Sequence, residues 1–161
     1  MRTLSIFIFV VLVSCGGPAQ ETASPSLAQD EVVDIDAEIG AAVADFKKAY
    51  ESRSLESIAQ LYESGLDVTL VYQGKLFPGM SQVQAYVTTR LENATQLRML
   101  VGDLRVRSLG TGTAMASFNV EITIGDDSVS VTEKGLSTLV YRKEADKWVI
   151  ALEHFSYPVA R

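Results

Sequence analysis

"LVYRKEADKWVIALEHFSYP", residues 139–158, is the stretch on which the fold turns. Leu139, Val140 and Tyr141 lead into Arg142 and Lys143; Glu144-Ala145-Asp146 breaks the run, and Trp148 to Leu152 resumes it before His154 and Ser156. Two apolar runs rich in β-branched and aromatic residues, joined by a short polar break, predict a hairpin. The pattern repeats backwards along the chain. Strands are predicted over about 147–157, 128–142, 113–124 and 96–109, with turns at 144–146, 125–127 and 110–112. Only strands follow residue 95, and an antiparallel sheet is expected.

Upstream the period changes. Ile35, Ile39, Val43, Phe46 and Tyr50 recur at three- and four-residue steps, which predicts a long helix with one apolar stripe. Ser54 can cap a second helix carrying Leu55, Ile58, Leu61 and Tyr62, stopped by Gly65. Residues 66–79 read as a hairpin turning at Gln73-Gly74 and ended by Pro78-Gly79. A third helix is predicted from Ser81 to Asn93, with Val83, Val87 and Leu91 in register. Three N-terminal helices packed against a strongly curved antiparallel sheet make an α+β domain over residues 34–161.

Along 113–124, Ala114, Ala116, Phe118, Val120 and Ile122 alternate with Ser117, Asn119, Glu121 and Thr123, so one sheet face is apolar and the other polar. The last strand is apolar on both sides near Trp148 and Val149 and does not fix its phase. Two arrangements stay open. The apolar side packs on the helices and Glu121, Glu133 and Glu153 are solvated; or the apolar side meets a partner and these glutamates line the interior with Asn119 and Phe155, near Tyr50 and Tyr72. In the second case burial would raise the carboxyl pKa values and equip them as acid and base.

The order helix, helix, hairpin, helix, four strands resembles the nuclear-transport-factor-2-like superfamily in its SnoaL-like bacterial branch. The residues that carry the resemblance are "FKKAYESRSLESIAQLY" (46–62), "FPGMSQVQAYV" (77–87), "TAMASFNVEI" (113–122) and the opening stretch. It implies a cone: the sheet curls around the helices and leaves a pocket at its open end, and the outer face often forms a homodimer. It carries no single chemistry, since this fold hosts isomerases, dehydratases, hydrolases and binding subunits. The tyrosine and two aspartates of the ketosteroid isomerases would fall at Phe46, Leu70 and Ser137, none of which supplies the group. The paired histidines of the fold's dehydratases are excluded, because the chain has one histidine. His154 reads either as a general base or as a structural histidine bonded within the last strand.

The first thirty residues carry an address. Arg2 precedes Leu4 to Val13, ten almost wholly apolar residues, too few for the about 20 a membrane-spanning helix needs. A short apolar core behind a basic start predicts an export signal over residues 1–14. Leu12-Val13-Ser14-Cys15 resembles the bacterial lipobox, which implies that Cys15 becomes an acylated first residue and the chain's membrane anchor. Gly16 after it, by resemblance to Gram-negative lipoproteins, implies the outer membrane, facing the periplasm. Residues 15–33, small and polar with Pro18 and Pro25, read as the lipidated cysteine and a flexible linker.

Cys15 is the one cysteine, so thiol catalysis and cysteine metal sites in the domain are excluded, and no metal or cofactor is expected. Twenty acidic against 14 basic side chains give a formal charge of −6, which argues against nucleic acid and against anionic headgroups as partners. The leading expectation is an anchored envelope protein that binds a small ligand or a protein partner without catalysis. The alternatives are an isomerase, dehydratase or hydrolase of a small apolar metabolite using Glu121, Glu133 or His154, and a structural dimer in an envelope assembly.

Overall fold

The computed structural model describes residues 27–157, with side chains from residue 35. The signal segment, Cys15 and the linker up to residue 26 lie outside the described residues. Helix α1 (Leu27–Ser52) begins inside the segment read as linker. It is followed by α2 (Leu55–Ala59), β1 (Thr69–Tyr72), β2 (Lys75–Pro78), α3 (Met80–Leu91), β3 (Gln96–Gly110), β4 (Thr113–Gly125), β5 (Ser130–Glu144) and β6 (Lys147–Ser156). Among the described residues no helix is long and apolar enough to cross a membrane.

The six strands form one curved, unclosed sheet in the order β2-β1-β6-β5-β4-β3. It is mixed, not antiparallel as expected: β1 runs parallel to β6, pairing Leu70 with Glu153 and Tyr72 with Phe155. The remaining pairings are antiparallel. The local signals that predict each hairpin are silent on how two distant strands meet. The β1–β2 hairpin, turning at Gln73 and Gly74 with φ of 48° and 75°, simply joins the edge that β6 leaves open.

The apolar face of β4 packs on the helices: Ala114, Ala116, Phe118, Val120 and Ile122 are all buried with Ile39, Val43 and Phe46 of α1 and Val83 and Val87 of α3. The chain's own helices therefore cover that face. The long strand β3 is the sheet's outer edge, and at its N-terminal half α1 closes the edge by hand: Glu51 Oε1 accepts the Met99 amide at 2.9 Å. At the opposite end, the close of β6 lies directly against Gly135, where a Cβ would stand 2.2 Å from the Ser156 carbonyl oxygen. That contact is open only to glycine, and it brings Tyr157 over the interior against Tyr72 and Phe155.

The second helix departs from its predicted length. It ends at Ala59, with Gln60 as its C-cap, and not at Gly65. Helical periodicity at Leu61 and Tyr62 is outcompeted by the sheet: Ile150 donates its amide to the Leu61 carbonyl at 2.8 Å, and Glu63 donates to the Ile150 carbonyl at 3.0 Å. Tyr62 thereby makes a parallel bridge to Ile150 and is drawn across the interior.

Candidate functional site: a buried carboxyl and its phenols

Glu153 lies on β6 with its side chain inside the cone, 1% exposed, between Leu70 of β1 and Leu139 of β5. The bridge that shortens α2 delivers Tyr62, whose hydroxyl donates to Glu153 Oε2. Tyr50, in the last two turns of α1, stands 2.7 Å from the Tyr62 hydroxyl. Since Tyr62 has one proton and gives it to the carboxylate, Tyr50 is the donor in this second bond. Among the described residues no lysine, arginine or histidine forms an ion pair with Glu153. Burial is the largest influence on the carboxyl and raises it to about 7, against the Tyr62 and Tyr50 hydrogen bonds and the Arg90 charge, which lower it. The same burial, and the Glu153 charge, push both phenols well above their ordinary value, so they remain donors.

A second cluster sits nearer the open end. Arg90, at the end of α3, pairs with Glu133 of β5 and donates from Nη1 to the Tyr72 hydroxyl at 2.7 Å, while Tyr72 also donates to Glu133. The guanidinium lies 4.7 Å from the centre of the Tyr72 ring. Burial, then the bond to Glu133, raises the Tyr72 phenol to about 12. Tyr86, Phe77, Phe155 and Tyr157 surround the cluster with ring centres 4.7–6.2 Å apart. Next to Tyr62, between α2 and α3, is a cavity of about 180 Å³ walled by Ile58, Met80, Val83 and Val87, with Gln84 and Thr88 at its rim.

The structure thus brings Tyr50, Tyr72, Glu133, Glu153 and Phe155 into one interior, and places Asn119, Glu121 and His154 on the other side of the sheet. The register gives the reason. Glu133 faces Ile122 across β4–β5, so it shares the apolar side, whereas Glu121 faces Lys134 on the outside and pairs with it at 2.7 Å. Asn119 bonds Asp103 at 2.5 Å in an exposed contact, and His154, exposed opposite Thr138, touches nothing in the cone. Both arrangements drawn from the sequence kept the three glutamates together; the sheet separates them. Tyr62, Arg90, Tyr86 and Tyr157 are not among the site residues that the sequence suggests. Tyr62 was hidden by its place in a helical repeat, but Arg90 was legible as the last-turn cation on the face of α3 that carries Val83 and Val87.

With the geometry in place, comparison is informative. Residues 39–160 match the SnoaL-like domain family, and the chain belongs to it. None of the curated proteins matches the chain. A protein from Streptomyces avermitilis, provisionally named a dehydratase of the nuclear-transport-factor-2-like family, superposes with a TM-score of 0.70 at 22% identity, covering 80% of this chain and 99% of that one. A nuclear-transport-factor-2-like superfamily protein from Salmonella enterica serovar Typhimurium reaches 0.72 at 18% identity, covering 80% and 94%. A protein from Novosphingobium aromaticivorans, provisionally named a scytalone dehydratase, reaches 0.72 at 10% identity, covering 82% and 89%. These likenesses establish the cone fold.

The Glu153 environment has a signature in stability. Its folded value of about 7 exceeds the 4.5 of an unfolded glutamate. A raised acid costs nothing below the unfolded value, and stability falls as pH rises from there through the folded value. Glu153→Gln keeps an acceptor for Tyr62 and removes the ionisation. Relative to wild type the variant should gain on the order of 3 kcal/mol between pH 4.5 and pH 8, measured by urea unfolding across that range. Parallel stability curves for the two proteins would refute the buried, uncompensated carboxyl.

Proposed function

We propose that the cone binds a small, largely apolar molecule, taken up between α2 and α3, on a chain that the Cys15 lipid holds at the cell envelope. The observation that carries the binding reading is the carboxyl–phenol chain of Glu153, Tyr62 and Tyr50 beside an apolar cavity. Binding sites are of this kind, mostly apolar with a few convergent polar groups. A cavity of about 180 Å³ suits a single-ring body, since one of about 150 Å³ holds benzene. The anchor rests on the Leu12-Val13-Ser14-Cys15 pattern alone. A second reading, proton transfer on the bound molecule, is favoured by the Glu153 value of about 7, where acid–base exchange at neutral pH is most effective. A ligand recovered chemically unchanged after incubation speaks for the first reading; conversion speaks for the second.

Thr88 is exposed at the cavity rim, so Thr88→Trp can obstruct entry without disturbing the core. Titration with benzyl alcohol, followed by methyl NMR, should shift Val83, Val87 and Ile58 in the wild type, and Thr88→Trp should weaken binding by about tenfold, an ordinary loss for one blocked contact region. Shifts confined to the outer sheet face would contradict the assignment. For the anchor, Cys15→Ser should move the chain from the membrane to the soluble fraction and abolish incorporation of labelled palmitate. A variant that stays membrane-bound would remove the lipid anchor from the account.

A further inference from the structure

The charges inside the cone do not balance. Arg90 is committed elsewhere: Nη1 to Tyr72, Nη2 to Glu133. Glu153 is held by phenols, which give it hydrogen bonds and no positive charge. A carboxylate enclosed without a cation is among the most costly groups a protein interior can hold. Its surroundings supply further unused capacity. Leu139 is the ladder partner of Glu153, and Ser137 and Tyr141, two residues to either side, share the same inward face of β5. Ser137 is 0% and Tyr141 1% exposed, and neither hydroxyl has a hydrogen-bond partner among the described residues. Two buried hydroxyls on the strand that pairs with β6 thus keep unused capacity to accept.

We propose that this face is built for a protonated amine carried on a ring-sized apolar body, the ammonium lying on Glu153. The proposal rests on the reading that the cone binds a small molecule, and names that molecule's charge. An ammonium brings the missing positive charge and several N–H donors to a face that offers acceptors, and forms charge-assisted hydrogen bonds there. A carboxylate of the same shape would be repelled by Glu153. An alcohol would satisfy hydrogen bonds and leave the charge uncompensated. Tyr62 sets the route, because its ring lines the cavity while its hydroxyl occupies the carboxyl. The amine enters along that ring and takes over the oxygen that Tyr62 releases.

Three isosteres separate the possibilities: benzylamine, benzyl alcohol and benzoate, positive, neutral and negative at pH 7.5. Binding to the folded chain is measured by methyl NMR for the wild type, Glu153→Gln and Tyr62→Phe. Benzylamine should bind the wild type about tenfold more tightly than benzyl alcohol, the scale of one charge-assisted hydrogen bond, and benzoate should bind weakest. Glu153→Gln should bring benzylamine within about twofold of benzyl alcohol and leave the alcohol's own affinity in place. Tyr62→Phe, which frees the carboxyl oxygen, should tighten the amine and not the alcohol. An amine bound no better than the alcohol, or a preference that survives Glu153→Gln, overturns the amine site while leaving small-molecule binding intact. Failure of all three probes to bind overturns both.

Discussion

The structure depends on one constraint: a carboxyl with no ion-pair partner among the described residues has to be kept inside an apolar cone. Glu153 sits on the central part of the sheet, between β1 and β5, and is 1% exposed. Its hydrogen bonds must come from side chains that reach it through the core. Tyr50 does this from α1 and Tyr62 from the bridge beyond the end of α2, and the irregularities of the N-terminal half serve that end. Helix α2 stops after five residues because the backbone beyond it is captured by Ile150. The capture sets Tyr62 three ladder positions from Glu153, close enough for its hydroxyl to bond the carboxyl.

The second charged cluster behaves oppositely. Glu133 has a cation, a phenol and partial exposure, so its charge is matched within its own cluster. Arg90 forms its ion pair there, which is why Glu153 is left without one. The two carboxylates occupy one interior in two electrostatic settings: Glu133 pairs with Arg90 and ties β5 to α3, and Glu153 is held by phenols alone.

Much of the fold is legible in the sequence. Alternation along 113–124 separates an apolar from a polar sheet face without saying which one meets the helices, and the turn residues at 73–74, 110–112, 125–127 and 144–146 place the hairpins to within a few residues. These are local signals, set by the pleat and by turn geometry. The parallel contact of β1 with β6 was not legible, because pairing between distant strands leaves no mark at either one. The site was half legible for the same reason. Glu153 and Glu133 could be named as candidates, but the phase of β6 next to Trp148 and Val149 was ambiguous, and Glu121 could be set apart from them only by the β4–β5 register. Tyr62 was read as a helical core residue since its period was right and only a tertiary hydrogen bond removed it from the helix. His154 drew notice as the lone histidine; its side chain points away from the cone.

The ionisation of Glu153 is the property on which the interior of the cone turns. Carbon-detected NMR titration of its side-chain carboxyl, with Glu153→Gln to assign the resonance, reads that property at the atom concerned. A buried carboxyl held by two phenols and no cation should titrate with a midpoint of about 7. A midpoint near the ordinary 4.5 would show a carboxyl that is solvated or paired, and would contradict the account at its centre.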